Sequence, residues 1–313
     1  MLHMIDSTVT SLREYGFAKS AKKILSSDEV VELSQLINEL FKDESVVDRD
    51  SSNASVIVNL PGKNSRLDQL LEKIVSHDGV RSVLSQILGD DYKVWQVNAR
   101  RSEMGDKGLW LHQDAPGETN LAMFLSDNMS GAGATAFLAM SHKLPRWASR
   151  ISWSSIHLAA PWLTPLKGKL GESAFFFNRT WHARLKNNSS QVHDVILMSF
   201  FPQGGVFAPC KQSQERLKSW EGWELGRLLD PSKGTRLLGD GFVQVVSPWN
   251  NQANDSYAML LECAECNDNK VGVARLYFKV IFLELAFRPL YLLYRLFKPL
   301  IQKWPRKFGQ RHK

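Results

Sequence analysis

The chain has 313 residues, of which 43% are hydrophobic and 23% are charged, and its formal net charge is +7. This balance allows a large buried core, which excludes an intrinsically disordered protein and a protein embedded in a membrane throughout. Three cysteines are too few for a disulfide framework and favour a reducing compartment. The N-terminal residues lack a basic start and a long apolar stretch, so they do not predict a secretory signal.

Helices are predicted in the first ninety residues. Ser26 and Glu29 form a capping box, and apolar residues at helical spacing follow, which predicts a helix from about Asp28 to Lys42. Two more amphipathic segments and a first strand follow in chain order: 67–77, 79–89 and 93–99. We expect these helices to pack against one face of a sheet.

Strands carrying two histidines and a carboxylate are predicted next. A short aromatic run leads into His112-Gln113-Asp114, and His182 lies near the end of a later apolar strand. Residues two apart on a strand point to the same side, so His112 and Asp114 can reach one metal ion while Gln113 points away. Two imidazoles and one carboxylate leave three adjacent positions on Fe(II) for a bidentate co-substrate and dioxygen. We therefore expect His112, Asp114 and His182 to bind iron and to form the catalytic centre.

Residues 10–205 resemble the Fe(II)/2-oxoglutarate oxygenases related to phytanoyl-CoA dioxygenase. The resemblance lies in REYGFAKSAKKILSSDEVVELSQLINELF, in LHQD, in Gly133 to Lys143, and in Trp181 to Ser190. It implies a mainly β fold with flanking helices (α+β), whose core is a double-stranded β-helix, a cupin-like jelly-roll of eight strands.

The same resemblance implies the chemistry. It implies His112, Asp114 and His182 as iron ligands, with Fe(II), 2-oxoglutarate and O2 as cofactors. Oxidative decarboxylation of 2-oxoglutarate to succinate and CO2 would accompany hydroxylation of a C–H bond. Because Asp114 is a carboxylate and not Gly or Ala, the pattern resembles a hydroxylase and not a halogenase.

One position departs from this family's pattern. Relatives place an Arg eleven residues after the second histidine, where it pairs with the far carboxylate of 2-oxoglutarate, and this chain has His193 there. An Arg binds a carboxylate with two bonds and stays charged, whereas a His is only partly protonated near neutral pH. Arg184 is the nearest replacement, and other bases lie on the preceding strand and turn: Arg100, Arg101 and Lys107.

Three polar side chains are further candidates for co-substrate contacts, with ordinary strand and loop roles as the alternative: Gln96, Asn98 and Gln113. If no base replaces the Arg, the sequence instead fits a degenerate, non-catalytic cupin-like binding protein.

The C-terminal third divides into two parts. Residues 212–270 follow the oxygenase domain (1–211) as an extension of unassigned role with one predicted helix, 213–229. Residues 271–313 hold ten Lys or Arg and one acid, a charge of +9, so residues 1–270 carry 7 − 9 = −2. Five charged residues of this tail fall on one helical face opposite a broad apolar face, as in helices that lie in a membrane interface: Glu284, Arg288, Arg295, Lys298 and Lys303. A helix packed on the core, or a dimer contact, is the alternative.

These features together predict an Fe(II)- and 2-oxoglutarate-dependent dioxygenase that hydroxylates a lipid-linked or membrane-surface substrate, for example the Kdo sugar of lipopolysaccharide. Its expected partners are 2-oxoglutarate, that substrate, and an anionic membrane surface through residues 271–313. Its expected location is the cytoplasm, at the inner face of a membrane. Because the positive charge belongs to the tail, no nucleic-acid partner is predicted. A phytanoyl-CoA-like acyl substrate, a small metabolite and a peripheral membrane scaffold stay open, and the sequence does not fix the oligomeric state.

Overall fold

The computed structural model describes residues 7–20, 22–50, 54–113, 117–129, 131–143, 163–202, 214–230 and Phe282. One compact unit comprises residues 1–143 and 163–269, and a second, 144–162 and 270–313, is represented here by Phe282 alone. Asp114 and the remainder of the predicted C-terminal tail lie outside the described residues. Within the described ranges, no helix is both long and apolar enough to cross a membrane.

The described helices are one 3-10 helix (Ser141–Lys143) and six α-helices: α1 (Ser7–Tyr15), α2 (Ser27–Lys42), α3 (Ser65–Ser76), α4 (Asp78–Leu88), α5 (Gln214–Ser219) and α6 (Glu224–Leu229). The capping box that the sequence predicts is confirmed: Glu29 N–H donates to Ser26 Oγ at 3.3 Å, and Ser26 N–H donates to Glu29 Oε2 at 3.0 Å.

The single helix predicted over 213–229 is wrong, because two short helices occupy this region. They are separated around Gly222, whose φ of +81° lies in the left-handed region that stops a helix. Trp220 before the break and Leu225 and Leu228 after it are buried in the same core cluster as α3 and α4. The start of the C-terminal extension therefore packs into the core of the compact unit.

The described strands form two antiparallel sheets. The larger sheet has the order β1-β9-β6-β11-β4-β3-β2 and the smaller the order β5-β10-β7-β8. Their bounds are β1 (Phe17–Lys19), β2 (Asp48–Arg49), β3 (Ser55–Ile57), β4 (Lys93–Ser102), β5 (Leu109–His112), β6 (Thr119–Phe124), β7 (Thr135–Phe137), β8 (Thr164–Pro165), β9 (Ser173–Phe177), β10 (His182–Arg184) and β11 (His193–Phe201).

Strand alternation gives the larger sheet two different faces. On β9, Phe175 and Phe177 join the large core that includes the helices, whereas Ala174 and Phe176 join a smaller cluster with Phe137 of β7 in the other sheet. Neighbouring side chains on a strand point to opposite faces, so β6, β9 and β11 contribute to both clusters. The predicted jelly-roll with helices flanking one sheet is the fold observed.

Candidate active site

Two histidines meet across a pair of neighbouring strands. His112 ends β5 and His182 begins β10, and the two residues are direct partners in the antiparallel register. Their ring centroids are 4.4 Å apart with an angle of 50° between the ring planes. The predicted pairing of these two imidazoles, which are separated by 70 positions in the sequence, is therefore present in the folded chain.

The His182 ring has a defined orientation. Its Nδ1 lies 2.8 Å from the carbonyl oxygen of Thr180, so Nδ1–H donates and Nε2 carries the lone pair that a metal ion requires. The two residues before His182 are also held, because Thr180 Oγ1 donates to Gly16 O at 3.0 Å and Trp181 N–H donates to Ser141 Oγ at 2.8 Å. This support is typical of histidines that bind metal ions.

The third predicted ligand, Asp114, lies outside the described residues and stays a prediction. Among the residues that are described, no group of three His, Cys, Asp or Glu side chains could hold a metal ion. The imidazole pair and the fixed Nδ1 donor suit a mononuclear metal, which would need one carboxylate more. Gln113, beside the pair, donates from its amide to the carbonyl of Arg179 and so ties the end of β5 to the turn before β10.

A cavity of about 680 Å³ opens beside the histidine pair, between side chains of the two sheets. His112 and His182 line it together with apolar residues such as Phe176 and Leu197 and polar residues such as Asn120. Its volume is that of a small-molecule site and its mixed lining can hold both a polar co-substrate and part of a second molecule.

Arg184 lies in this cavity, two residues beyond His182 and on the same side of β10. Its side chain is 8% exposed and makes paired contacts with two carboxylates. Nη1 and Nη2 lie 2.9 and 3.2 Å from the two oxygens of Asp50, and Nε and Nη2 lie 3.2 and 3.3 Å from the two oxygens of Asp106. Close packing fixes the strand here, since a Cβ on Gly108 would lie 2.3 Å from the Arg184 carbonyl oxygen.

His193 also lines the cavity, at the start of β11. Neither of its ring nitrogens makes a hydrogen bond of ordinary geometry with the described residues. Burial lowers the pKa of His193, and this outweighs the smaller, opposite effects of the Asp127 backbone and the Asp194 carboxylate. At neutral pH His193 is therefore uncharged and does not supply the positive charge that an Arg would bring.

The other candidate bases are placed differently from one another. Arg101 pairs with both oxygens of Asp194 at 2.8 and 2.7 Å and lies over the Phe41 ring of α2 at 4.3 Å. Lys107 is exposed. Arg100 lines the cavity, with Nη1 3.5 Å from Asp50 Oδ2. Arg184 and Arg100 are thus the cations at the cavity end near Asp50.

The predicted polar contacts belong to a buried hydrogen-bonded chain. Asn98 donates to Gln96 Oε1 at 2.9 Å and accepts from the backbone N–H of Asn59 at 3.1 Å. Gln96 donates to Ser199 Oγ at 3.3 Å, and Ser199 bonds in turn to Asn120, which bonds to Asn178. Gln96 lines the cavity, and Asn98 lies behind it as its support. A chain of this kind offsets the cost of burying its polar groups by mutual bonds.

Several residues of the site carry no recognisable signal in the sequence. Asp50 and Asp106 precede Arg184 by 134 and 78 positions, and neither belongs to a motif. Glu118, Asn120 and Asn178 line the cavity from strand ends that the sequence predicts only as strands. Their roles depend on which strands become neighbours.

Comparison with known proteins shows structural likeness without close sequence relatives. No protein-family model matches the chain. No curated protein matches it either. EvdMO1 is a similar solved structure, at 19% identity and a TM-score of 0.51; the alignment covers 62% of this chain, which spans only about half (49%) of EvdMO1.

Two other similar structures contain ligands. The epimerase SnoN, in complex with Fe3+, alpha ketoglutarate and nogalamycin RO, is 16% identical with a TM-score of 0.53, over 74% of this chain and 95% of SnoN. HygX from Streptomyces hygroscopicus, with nickel and 2-oxoglutarate bound, is 12% identical with a TM-score of 0.53, over 66% of this chain and 90% of HygX. At these identities the likeness shows the fold, and the chain has the jelly-roll fold of SnoN and HygX.

Proposed function

We propose that this protein is an Fe(II)- and 2-oxoglutarate-dependent dioxygenase that hydroxylates a C–H bond. The observation that carries the proposal is the His112–His182 pair at the wall of the cavity, with the His182 ring fixed through Nδ1. Asp114, two positions after His112 in the sequence, is the proposed third ligand. The ligands bound in SnoN and HygX support the same choice of metal and co-substrate.

In this proposal, different residues of the chain would bind the metal, bind the co-substrate and exclude water. His112, Asp114 and His182 would hold Fe(II), and the bound metal would supply the oxygen chemistry. Arg184 would pair with the far carboxylate of 2-oxoglutarate, with Gln96, Gln113 and His193 as further cavity contacts. The apolar walls, such as Phe176 and Leu197, would exclude water from the reacting centre.

For the substrate we propose a lipid-linked or membrane-surface molecule, such as a lipopolysaccharide sugar, which the protein reaches at the cytoplasmic face of a membrane. The support is the C-terminal sequence 271–313, which carries a charge of +9 and for which the sequence predicts a broad apolar helical face. The cavity of about 680 Å³ suits the reacting group of such a molecule together with the co-substrate, and not a whole lipid. We also propose, on the same basis, that this protein is related to phytanoyl-CoA dioxygenase or to the Kdo hydroxylases.

The metal site is tested by anaerobic titration of Fe(II)-loaded protein with 2-oxoglutarate, following the visible charge-transfer band of the chelate. We expect a band in the wild type and its loss in His112→Ala, Asp114→Ala and His182→Ala. His77→Asn is a matched control, because His77 caps α4 by accepting from Gly79 N–H and Asn preserves such a cap. Loss of the band in this control as well would point to a general folding defect.

A non-catalytic binding protein is the second candidate. It is favoured by one observation, the pairing of Arg184 with Asp50 and Asp106, which satisfies that cation without a co-substrate. Absence of the band at saturating 2-oxoglutarate in well-folded wild-type protein would select this candidate.

The membrane proposal is tested by sedimentation with vesicles of phosphatidylcholine alone or with anionic phosphatidylglycerol. We expect the full chain to bind the anionic vesicles, and binding to fall at high salt because each cation near the surface contributes about 1 kcal/mol. Replacing the four basic residues Arg306, Lys307, Arg311 and Lys313 by Gln should weaken binding. Equal recovery on both kinds of vesicle, unaffected by these replacements, would contradict the proposal.

A further inference from the structure

We propose that Asp50 occupies, on Arg184, the place of the co-substrate's far carboxylate, so that an incoming dicarboxylate must displace it. Asp50 is then the residue that sets the affinity of the cavity for the co-substrate. This inference rests on the proposed function, since it takes the co-substrate to be 2-oxoglutarate.

The contact between Arg184 and Asp50 has the geometry of a bound carboxylate. Nη1 lies 2.9 Å from Oδ2 and Nη2 lies 3.2 Å from Oδ1, so two hydrogen bonds join the guanidinium fork to both oxygens. A dicarboxylate whose other end reached the histidine pair would use this same edge of the guanidinium, because both Asp50 and Arg184 line the cavity.

Asp106 is not the carboxylate to be displaced. Its side chain is 1% exposed and accepts from Ser102 Oγ at 2.7 Å and from Gly108 N–H at 2.9 Å, in addition to its contacts with Arg184. Removing it would leave several buried groups without partners. Asp106 therefore holds the inner edge of the guanidinium and orients its outer edge toward the cavity.

Asp50 is more exposed to solvent than Asp106. Its side chain is 19% exposed, and it lies in the connection that joins β2 to β3. Its carboxylate also accepts from Ala54 N–H at 3.2 Å, a contact within the same short connection. Moving this carboxylate outward would return it to water without opening the core.

Charge balance explains why the co-substrate carboxylate would displace Asp50. Arg184 and Arg100 face Asp50 and Asp106, and their four formal charges cancel. His193, uncharged at neutral pH, adds nothing to this sum. A further carboxylate bound beside all four would be an unbalanced charge in a buried place, which is costly. Exchange of Asp50 for the co-substrate carboxylate keeps the balance.

The test compares two 2-oxo acids on anaerobic Fe(II)-loaded protein, with the dissociation constant read from the visible band and from calorimetry and not from turnover. One is 2-oxoglutarate, and the other is 2-oxobutyrate, which has the same chelating head but no far carboxylate. The variants are Asp50→Asn, which preserves shape, and Asp50→Ser, which guards against a fault peculiar to Asn. Circular dichroism checks that each is folded.

We expect both Asp50 variants to bind 2-oxoglutarate about tenfold more tightly than the wild type, and to bind 2-oxobutyrate with a dissociation constant changed by less than about twofold. In an Arg184→Met background the replacement of Asp50 should change neither constant, because the two residues act through one contact. This pattern would support the inference.

Three results would overturn it. If 2-oxoglutarate binds the folded Asp50 variants no more tightly than the wild type, Asp50 positions Arg184 and does not compete for it. If 2-oxobutyrate gains affinity as well, the effect is a general one of charge at the metal. If neither acid gives a band in any folded protein, the proposed function itself fails and the inference falls with it; a normal 2-oxobutyrate band distinguishes the first of these failures from the last.

Discussion

The two faces of the seven-stranded sheet differ in composition and in role. On the helix side, Phe175, Ile196 and Met198 are almost fully buried in an apolar core that the helices complete. On the cavity side, strands of the same sheet carry Asn120 and Ser199, whose polar groups are buried and bonded to one another. One face needs only apolar side chains of suitable volume, whereas the other depends on particular partners. Stability is thus concentrated on the helix side and the candidate chemistry on the cavity side.

Two adjacent phenylalanines test this contrast most strongly. Phe175→Ala should lower the free energy of unfolding by about 3–5 kcal/mol, because its side chain is fully buried between sheet and helices. Phe176→Ala should cost about 1–2 kcal/mol less, since Phe176 borders an existing cavity. Urea unfolding of both variants measures the difference, and equal losses would contradict the contrast between the faces.

Two buried histidines, one on each side of the sheet, extend the comparison to the pH dependence of stability. His142 packs on Phe177, hydrogen-bonds through Nε2 to the Arg13 carbonyl oxygen, and has its pKa lowered to about 3, mainly by burial. In the unfolded chain the pKa of His142 returns to about 6.5, so His142 takes up a proton there as the pH falls below that value. Stability is therefore full above about pH 6.5 and declines below it, by about 2 kcal/mol at pH 5 for this residue.

The measurement is the free energy of unfolding at pH 7 and pH 5. His142→Gln should flatten the decline between these two values, and so should His193→Gln, since burial lowers the pKa of that cavity residue in the same direction. If the His142→Gln protein loses as much stability as the wild type between pH 7 and pH 5, His142 is not a cause of the decline.

The smallest expected effect lies in the helical layer, far from the cavity. Ser26→Ala removes the side chain that caps α2 and should cost about 1 kcal/mol of stability. The adjacent Ser27→Ala, at the exposed first position of the helix, is the control and should cost little. Both variants should leave binding of 2-oxoglutarate unchanged, which separates helix-side stability from cavity-side chemistry.

Periodicity in the sequence predicted α2, α3, α4 and the main strands, because these depend on local patterns. The meeting of His112 with His182 followed from their motifs and from strands in a familiar order. The contacts of Arg184 could not be predicted, since Asp50 and Asp106 reach it only after distant strands pair. The break at Gly222 was missed because the flanking residues keep helical spacing across it. The role of Asp114 as a metal ligand and that of residues 271–313 as a membrane-surface segment stay predictions.

The register of β5 against β10 has a further consequence for folding. Among the described strands, β5 lies at the edge of the smaller sheet and is joined there to β10 alone. A slip of one residue would turn His112 to the opposite face and separate it from His182. An ion shared by both rings would clamp this edge in the correct alignment, so metal binding should slow hydrogen exchange of the β5 amides more than elsewhere.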